Sequence, residues 1–351
     1  MKNEKTKDFL TLEEMLNEQK KRPPIEYLWS GIKNKSFGLV FGPSKSGKTI
    51  FCENLAFKIA LGESEFLGEK LNVKNPQKVL FIGLEEFWEN RIVRNKQQMD
   101  TYDAASVKLL KSNYLLQSID YGKKIISKKD WVKLDLMIKE SGAKFVVIDS
   151  ITRLNYGKLE DSDVAESILQ NLRAVCYDNG ITLICIHHTH KMYGKPLDMD
   201  SIRGSSVFAQ ESDFAIGINN TALKVRYVKN VFFRYAADSG DDVKEIRIDD
   251  KAIVHYIGKT TEIKIMNDAD RRRSNDSREL ILDFFNKTPC TRYKTSNLVE
   301  ILTKKLNIKD RQLKAYLKSL VEEEELANPE RGYYQSIKCC DNQGKEADDE
   351  A

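Results

Sequence analysis

The chain has 351 residues, of which 41% are hydrophobic, and a formal net charge of +4. This length predicts one large domain and a smaller one, and the nearly balanced charge does not by itself indicate a nucleic-acid-binding protein. The opening residues, MKNEKTKDFLTLEEM, lack the apolar segment of a secretory signal, and no run of apolar residues is long enough to predict a membrane span. The six cysteines form no Cys-x-x-Cys pair, so we predict a cytoplasmic protein with reduced thiols.

The chain begins with an extension and continues as an alternation of strands and helices. Residues 1–22 are charged and carry one helical pattern, TLEEMLNEQKK, which Pro23 and Pro24 end. Apolar runs predict strands at residues 36–42, 78–85, 144–150, 181–188, 213–220 and 224–234, and helical spacing predicts helices at residues 48–62, 89–99, 128–142 and 161–180. This alternation indicates an α/β fold with a doubly wound, mostly parallel sheet and helices on both faces, which we assign to residues 23–265.

A second, smaller domain is predicted beyond this sheet. Residues 266–276, MNDADRRRSND, are mostly polar and charged, and we interpret them as a linker. Helical patterns follow at residues 277–287, 295–306 and 309–324, and a hairpin pattern with Asn-Pro and Arg-Gly turn signals follows at residues 325–337. Three helices and a hairpin resemble a winged helix-turn-helix, assigned to residues 277–338. Residues 339–351 are predicted to be a disordered tail.

A complete phosphate-binding motif follows the first strand. GPSKSGKT fits the pattern G-x-x-x-x-G-K-[ST] in full and lies between a strand and a helix, as that motif requires. Backbone N–H groups and the helix N-terminus bind phosphate oxygens in such a turn, so we expect Lys48 to reach the β- and γ-phosphates and Thr49 to hold magnesium. The predicted ATP-binding residues are Gly42, Pro43, Ser44, Lys45, Ser46, Gly47, Lys48 and Thr49. The alternative is a chance glycine-rich turn, against which the flanking elements argue.

Acidic residues at the ends of two predicted strands are candidates for a magnesium ligand and a catalytic base. Asp149 ends the strand KFVVID, where a magnesium-side carboxylate belongs, and Ser150 rather than glutamate follows it. An earlier strand ends in FIGLEE, and parallel strands finish at the same edge of a sheet. Glu85 is therefore the candidate that activates the attacking water, with Glu86 as the second choice. A turn-capping Asp149 and a solvated Glu-Glu turn are the alternatives left open.

The ordered set GPSKSGKT, GLEE, VVIDS, HHTHK and IRGSS resembles the RecA-like ATPases. Within that group it is most similar to the hexameric RepA replicative helicases of plasmids and their relatives in mobile elements and phages, with an ATPase domain of the AAA_25 type. The resemblance spans residues 23–260. It implies a RecA-like fold, ATP hydrolysis with Mg²⁺, assembly into a homo-oligomer, expected to be a hexamer, and action on DNA.

The resemblance also implies a role for each matching residue. Glu85 would orient and activate water, Asp149 would support magnesium, and His188 would sense the γ-phosphate and pass its state to the next loop. Arg203 would project into a neighbouring subunit's site as an arginine finger. Arg234 is a second candidate, because KNVFFR departs from the commoner Lys-Asn-Arg pattern. An arginine supplied across an interface makes hydrolysis depend on assembly.

The histidines His187, His188 and His190 also admit a metal site. Adjacent histidines on a strand point to opposite faces, so His187 and His188 are poorly placed to bind one zinc ion together. We favour a buried or hydrogen-bonded His187 and the sensor role for His188. A zinc site and the reverse assignment of the two histidines stay open.

Two loops are candidate DNA contacts. They lie at residues 151–163 and 189–206, after two of the strands, and by resemblance they would face a central channel. The second loop carries Lys191, Tyr193 and Lys195, which could follow a nucleic-acid backbone and stack a base. Both loops also carry acidic residues, so an ordinary surface loop is the alternative.

The predicted winged helix is modestly basic, with fifteen Lys and Arg against ten Asp and Glu in residues 271–338. In its third helix Leu313, Leu317 and Leu320 are expected to pack inward. The basic residues on the other faces of that helix are Lys309, Arg311, Lys314 and Lys318. They are candidates for phosphate contacts. Docking of a protein partner is the alternative use of such a domain.

The leading hypothesis is an ATP-driven oligomeric motor that acts on DNA, such as the helicase of a plasmid, phage or other mobile element. The alternative is an ATP-dependent DNA-binding switch without helicase activity, as in a regulator, a loader or a defence-system ATPase. A scaffold that binds ATP and barely hydrolyses it is a third hypothesis. Glu85 argues against that scaffold, since a protein that only binds ATP needs no positioned base.

Overall fold

The computed structural model describes residues 9–337, except residues 120, 122–123, 155–156, 190–191, 193–194, 205, 222, 238–239 and 307. The side chains of residues 268–276 are also outside the described part. The candidates His190, Lys191 and Tyr193 and the predicted tail therefore lie outside the described residues. The chain divides into two compact units, Met1–Lys264 and Ile265–Ala351.

The first unit alternates between helices and strands, as predicted. Its described helices are α1 (Leu12–Lys20), α2 (Lys48–Leu61), α3 (Trp88–Met99), α4 (Ala104–Asn113), α5 (Lys128–Ser141), α6 (Ser162–Asn179) and α7 (Val207–Glu211), with 3-10 turns at Ile151–Arg153 and Met199–Ser201. Its described strands are β1 (Tyr27–Trp29), β2 (Ile32–Lys33), β3 (Phe37–Gly42), β4 (Glu65–Phe66), β5 (Glu69–Lys70), β6 (Val79–Gly83), β7 (Tyr114–Leu116), β8 (Phe145–Asp149), β9 (Thr182–His188), β10 (Phe214–Asn220), β11 (Arg226–Phe233), β12 (Asp242–Ile248) and β13 (Val254–Thr261).

One nine-stranded sheet organises this unit, in the order β13-β12-β11-β10-β3-β9-β8-β6-β7. Neighbouring strands from β10 to β7 are parallel. β11, β12 and β13 extend the sheet in antiparallel fashion. β3 is the central strand, and the carboxyl ends of β3, β9, β8 and β6 meet at one edge of the sheet. The mostly parallel, RecA-like sheet predicted from the sequence is confirmed.

The central strands are buried on both faces. Successive residues of a strand point to opposite faces of the sheet, and Leu39, Val40 and Phe41 of β3 are all fully buried. The same is true of Val147 and Ile148 in β8. These strands are continuous apolar runs because a polar side chain on either face would be buried without water.

α2 brings the phosphate motif against the sheet. The ring of Phe51 packs against Trp29 and Phe66, with centroids 5.8 and 5.4 Å away. Trp29 Nε1 also donates to the carbonyl oxygen of Phe66 at 2.8 Å. Gly62 ends the helix in a left-handed conformation with φ of 71°, as its position after the apolar pattern predicted. The start of α2 is thus fixed by an aromatic cluster beneath it.

α1 confirms the helical pattern predicted in the N-terminal extension. Thr11 and Glu14 form a capping box, in which the Glu14 carboxylate accepts from the Thr11 N–H at 2.7 Å and the Thr11 hydroxyl accepts from the Glu14 N–H at 3.2 Å. No residue of α1 is buried, and its apolar residues Leu12 and Met15 are more than half exposed.

The region between β6 and α5 differs from the sequence analysis. We predicted two helices within residues 88–142, and they correspond to α3 and α5. Between them the structure adds α4 and then β7, which forms the edge of the sheet beside β6. β7 has only three residues, and so short a strand leaves no recognisable apolar run in the sequence.

The second unit contains the three predicted helices and the hairpin. Its described elements are α8 (Glu262–Asn286), whose first three residues belong to the first unit, β14 (Tyr293–Lys294), α9 (Thr295–Leu306), α10 (Asp310–Glu322), β15 (Leu326–Ala327) and β16 (Tyr333–Ser336). Its strands form a small sheet in the order β14-β16-β15. Leu313, Leu317 and Leu320 of α10 are fully buried in the core of this unit, as predicted.

The predicted linker is part of a helix. Residues 266–276 lie within α8, a continuous helix of 25 residues. The segment contains neither proline nor glycine, so nothing in its backbone interrupts a helix, and a polar and charged composition alone does not predict irregular structure. Neither α8 nor any other described helix combines the length and the apolar character needed to span a lipid bilayer.

Candidate active site

The phosphate motif forms a tight turn between β3 and α2. Gly47 precedes α2 with φ of 103°, a left-handed conformation that glycine adopts most readily. A Cβ atom at Gly42 would lie 2.0 Å from the carbonyl oxygen of Ile218, and one at Gly47 would lie 2.5 Å from Cδ1 of Ile248. The backbone packed against Gly42 therefore leaves no room for a side chain, and the left-handed φ of Gly47 favours glycine at that position. The first N–H groups of α2, which have no partner within the helix, lie at this turn as a phosphate site requires.

Lys48 is buried at the centre of the motif. Its Nζ donates to the carbonyl oxygens of Gly42 and Pro43, at 2.9 and 2.8 Å. Burial lowers the pKa of Lys48 to about 8, although the carboxylates of Asp149 and Glu85 act in the opposite direction. The ammonium group is held over the turn by two neutral acceptors. Bound phosphate oxygens would offer it anionic acceptors, and hydrogen bonds between charged groups are stronger.

Thr49 and Asp149 meet, as the sequence analysis predicted. Thr49 Oγ1 donates to Asp149 Oδ2 at 2.8 Å, which places two oxygen ligands side by side at the start of α2 and the end of β8. Burial raises the pKa of Asp149, while the Arg91 guanidinium and the Thr49 hydroxyl act against that rise. Mg²⁺ takes oxygen ligands and is usually held by one or two carboxylates together with substrate phosphates, so this pair fits it.

Glu85 lies beside the end of β8 with a fixed set of donors. Its Oε1 accepts hydrogen bonds from the hydroxyls of Ser150 and Thr152, the latter at 2.6 Å, and lies 3.6 Å from His188 Nε2. Hydrogen bonding to His188, and then to Ser150 and Thr152, lowers the pKa of Glu85 to about 2 against the effect of burial. The carboxylate is therefore ionised at neutral pH. Ser150, which follows the predicted magnesium ligand, donates a hydrogen bond to the candidate base rather than replacing it.

Glu86, the second choice for the base, is engaged by arginines. Its two carboxylate oxygens accept from Arg94 at 2.6 and 2.8 Å, and one of them lies 3.7 Å from Arg91 Nη2. A carboxylate held by a bidentate arginine has little remaining basicity. Of the two adjacent glutamates, the geometry favours Glu85 as the base.

A buried cluster of charges lies behind these strand ends and was not foreseen. Glu53 of α2 is fully buried and accepts from Arg94 at 2.7 and 2.8 Å. Arg91 is also buried, lies 3.8 Å from Asp149 Oδ2 and covers the ring of Phe81 at 4.4 Å. A fixed positive charge therefore stands behind the predicted magnesium ligand. The sequence signal was a glutamate inside the apolar pattern of α2, because a charged residue on a buried helix face requires a partner.

The two histidines at the end of β9 have different environments. His187 is fully buried, packs on Phe208 with ring centroids 5.0 Å apart, and bonds through Nε2 to the carbonyl oxygen of Arg203 at 2.6 Å. Burial lowers the pKa of His187 to about 4, so its ring is neutral. His188 lines the cavity beside Glu85, and its carbonyl oxygen accepts from the Arg203 N–H at 3.0 Å. Within the described chain, no three His, Cys, Asp or Glu side chains are grouped to hold a metal ion.

Neither of the two predicted trans arginines lines this cavity. The Arg203 side chain is exposed, and its Nε lies 3.6 Å from Glu160 Oε1. Arg234 is exposed as well, donates to the carbonyl oxygen of Gln210 and lies 3.7 Å from Asp213. The side chains that line the cavity do not include either arginine.

The phosphate motif, the two acids and His188 line one cavity of about 650 Å³ at the carboxyl edge of the sheet. Its wall also includes Arg226, Ile248 and Asp249, which the sequence analysis did not identify. No local pattern marks these three residues, because only the order of the strands brings β11 and β12 to this edge.

The predicted DNA contacts within the described part of the chain are exposed. Lys195 lies on the surface of the loop that follows β9. The exposed basic residues at and along α10 are Lys309, Arg311, Lys314 and Lys318. Lys318 lies 3.4 Å from Glu322, one turn further along the helix. Their exposure permits contact with a phosphate backbone, and the predicted contacts stay predictions.

Comparisons with known proteins bear on the fold and the family. The family model AAA_25, described as an AAA domain, matches residues 4–193, more than half of the chain. A solved structure of an ATPase domain superposes with a TM-score of 0.55 at 15% sequence identity, covering 72% of this chain and 100% of that one. A KaiC-like protein from the hyperthermophilic archaeon Pyrococcus horikoshii OT3 matches with a TM-score of 0.47 at 18% identity, covering 67% of this chain and 100% of that one. No curated protein matches significantly.

Proposed function

Because the chain belongs to the AAA_25 family of AAA domains and is a P-loop ATPase with a RecA-like fold, we propose that it is an ATP-driven oligomeric motor that acts on DNA. Its role would be that of a RepA-type helicase of a plasmid, phage or other mobile element. One observation carries the proposal: a phosphate turn, the Thr49–Asp149 pair and the ionised Glu85 line one cavity.

Hydrolysis follows from the placement of these side chains. The Lys48 ammonium neutralises phosphate charge from within the turn, and Thr49 and Asp149 would hold the metal ion. When bound there, Mg²⁺ would offset the negative charge that develops on the phosphate oxygens. Glu85 accepts a hydrogen bond from the attacking water and orients it toward the γ-phosphate. His188 lines the same cavity with its Nε2 3.6 Å from Glu85 Oε1, where it would detect whether the γ-phosphate is present.

His188 is also tied to the segment that carries the proposed arginine finger. The Arg203 N–H donates to the carbonyl oxygen of His188, and the Arg203 carbonyl oxygen bonds to the ring of His187. The backbone of Arg203 is therefore fixed to the end of β9 while its side chain extends into solvent. This arrangement supports a role for Arg203 at the active site of a neighbouring subunit. Because its backbone is bonded to His187 and His188, its position would also depend on the nucleotide bound in its own subunit.

An exposed apolar surface on α3 supports self-assembly. Trp88, Ile92 and Ile119 are 47, 43 and 65% exposed. All three line one cavity of about 380 Å³ beside the start of α3. Contiguous exposed apolar side chains of this kind mark protein interaction sites more often than free surface.

We expect the wild-type protein to sediment as an oligomer, a hexamer in the simplest case, when a non-hydrolysable ATP analogue and Mg²⁺ are present. Arg203→Ala is expected to bind ATP normally and to lose about 10³-fold in turnover, because an arginine supplied in trans contributes about that factor or more. Analytical ultracentrifugation and steady-state ATPase assays measure the two effects.

Arg234→Ala is the comparison for this experiment, since the sequence left both arginines open. A large loss of turnover in Arg234→Ala, with Arg203→Ala unaffected, would transfer the finger role to Arg234. A monomer at every protein concentration, with and without the analogue, would contradict assembly itself.

The second unit supports the DNA part of the proposal. Its element order, helix, strand, two helices and a two-stranded hairpin, resembles that of a winged helix-turn-helix. α10 carries exposed basic residues where such a domain would have its recognition helix. We infer that this unit brings the motor to DNA. Docking of a protein partner by the same unit is the alternative.

We expect single-stranded DNA to stimulate the ATPase rate several-fold, and the stimulation to weaken as salt rises, because backbone contacts release counterions. ATPase rates with single-stranded DNA, duplex DNA and no DNA, each at two salt concentrations, measure this. An unchanged rate with both forms of DNA would rule out a DNA-driven motor.

Strand separation on a forked duplex distinguishes the motor from its alternative. A helicase separates the strands only while ATP is hydrolysed. An ATP-dependent DNA-binding switch, such as a regulator, a loader or a defence-system ATPase, would bind the fork in a nucleotide-dependent manner and leave it paired.

A further inference from the structure

The cavity has a second wall that the proposed chemistry does not use. β11 runs antiparallel to β10, so its first residue, Arg226, lies at the edge of the sheet where the parallel strands end. β12 pairs antiparallel with β11 and ends at the same edge with Ile248. Both residues line the cavity that holds the phosphate turn. The order of the strands thus brings a cation and an apolar side chain to the nucleotide site from outside the known motifs.

This wall lies on the far side of the phosphate turn from the catalytic acids. In the sheet, β11 and β8 stand on opposite sides of β3. Four strand spacings of about 4.8 Å, or roughly 19 Å, separate the strand of Arg226 from the strand of Asp149. A nucleotide whose γ-phosphate lies at Asp149 and whose β-phosphate lies at Lys48 extends its nucleoside toward β11.

Arg226 is placed for a ligand rather than for a partner in the protein. Its Nε is buried and has no hydrogen-bond partner in the described part of the chain. Asp249, an acid that lines the same cavity directly after Ile248, already accepts hydrogen bonds within its own turn. Its carboxylate accepts from the N–H groups of Lys251 and Ile253, at 3.0 and 2.8 Å, and pairs with His255 at 2.7 Å. A buried guanidinium nitrogen left without an acceptor is costly unless a ligand supplies one.

Ile248 forms the second wall of the cavity together with Arg226. A Cβ atom built on Gly47 would lie 2.5 Å from Cδ1 of Ile248. The same Cβ atom would lie 3.9 Å from both Cδ and Nε of Arg226. The two side chains therefore cover the outer flank of the phosphate turn together. A planar guanidinium and a branched aliphatic group are the surfaces that bind the faces of an aromatic base.

We propose that Arg226 and Ile248 form the nucleoside subsite of this ATPase, in which the guanidinium lies against the base and Ile248 supplies the apolar contact. Both residues belong to the same chain as the phosphate turn and line the same cavity. The proposal rests on the function proposed above. It identifies β11 and β12 as the elements that hold the nucleoside end of the nucleotide.

Isothermal titration of three ligands, each with Mg²⁺, tests the assignment: ATP, ADP and inorganic tripolyphosphate. Arg226→Ala is expected to weaken the binding of ATP and ADP by about tenfold each, between the values of an exposed and a desolvated cation–π contact, and to leave the binding of tripolyphosphate unchanged. Arg226→Lys keeps the positive charge and removes the planar guanidinium group, so most of the loss of affinity for ATP and ADP is expected to remain. Arg247→Ala is the matched control, because Arg247 is exposed on the same strand as Ile248 and points to the other face.

Each other pattern of results overturns the proposal in a recognisable way. A loss confined to ATP would make Arg226 a γ-phosphate ligand. An equal loss for tripolyphosphate, or full recovery in Arg226→Lys, would make it a general phosphate contact. Unchanged affinities for ATP and ADP would exclude any nucleotide contact, while a wild-type protein that binds none of the three ligands would refute the proposed ATPase function instead.

Discussion

Replacing Glu85 with glutamine is expected to lower ATP turnover by about 10³-fold, the contribution of a positioned general base, while ATP affinity stays near the wild-type value. Glutamine has the shape of glutamate, and its Oε1 can still accept hydrogen bonds from Ser150 and Thr152. It has no negative charge with which to polarise the attacking water. Turnover at saturating ATP and direct binding measurements report the two quantities separately.

Glu86→Gln is the matched control for this substitution. Glu86 is the adjacent acid, and its carboxylate is already held by Arg94. We expect its neutralisation to change turnover by less than about tenfold, since it acts only through the arginines beside it. Normal turnover in Glu85→Gln, or a larger loss in Glu86→Gln, would show that the base has been assigned to the wrong glutamate.

The same base has a predictable pH dependence. The pKa of Glu85 is lowered to about 2, so its carboxylate is charged above that pH and becomes protonated only as the pH falls through it. An acid limb in the pH–rate profile near pH 5 to 6 therefore cannot come from Glu85 in the environment observed. It would come from a group with a higher pKa or from a change in the donors around the base.

Replacing Arg94 with methionine is expected to lower the free energy of unfolding of the first unit by about 3 kcal/mol or more, because removal of one partner from a buried ion pair leaves a buried charge uncompensated. Arg94 is the bidentate partner of Glu53, whose side chain is fully buried. Arg91 lies 3.9 Å from the same carboxylate and replaces only part of that interaction. Methionine preserves most of the aliphatic packing of the arginine.

Tryptophan fluorescence measures the unfolding of the first unit alone. Trp29, Trp88 and Trp131 all belong to the first unit, so urea unfolding followed by their emission excludes the second unit. Lys74→Met is the control, because Lys74 pairs with Glu26 on the surface, and surface pairs contribute about 0 to 1 kcal/mol. A change of less than about 1 kcal/mol in Arg94→Met would show that Arg91 alone neutralises Glu53.

The parts of the site predicted from the sequence are those that local pattern and strand direction determine. The phosphate turn is a contiguous motif, and Glu85 and Asp149 follow apolar runs whose ends must share one edge of a parallel sheet. Glu53, Arg91 and Arg94 were missed because their pairing is a tertiary contact between α2 and α3.

The residues of β11 and β12 were missed for a similar reason. Arg226 reaches the nucleotide cavity through the antiparallel extension of the sheet, and nothing in the residues around it indicates where that strand pairs. The predicted linker at 266–276 failed differently, since charged residues without proline or glycine are compatible with a helix. Composition predicted its polarity and not its conformation.

The two hydroxyl donors of Glu85 have a thermodynamic consequence for the proposed motor. Ser150 and Thr152 belong to the turn that opens the loop at 151–163, one of the two loops proposed to meet DNA. If DNA displaces this loop, the donors move, and the orientation and basicity of the carboxylate change with them. Such coupling is reciprocal, so occupancy of the nucleotide site must alter DNA affinity by the same factor by which DNA alters nucleotide affinity. The serine that stands where other ATPases carry their glutamate is then the residue through which the two equilibria are linked.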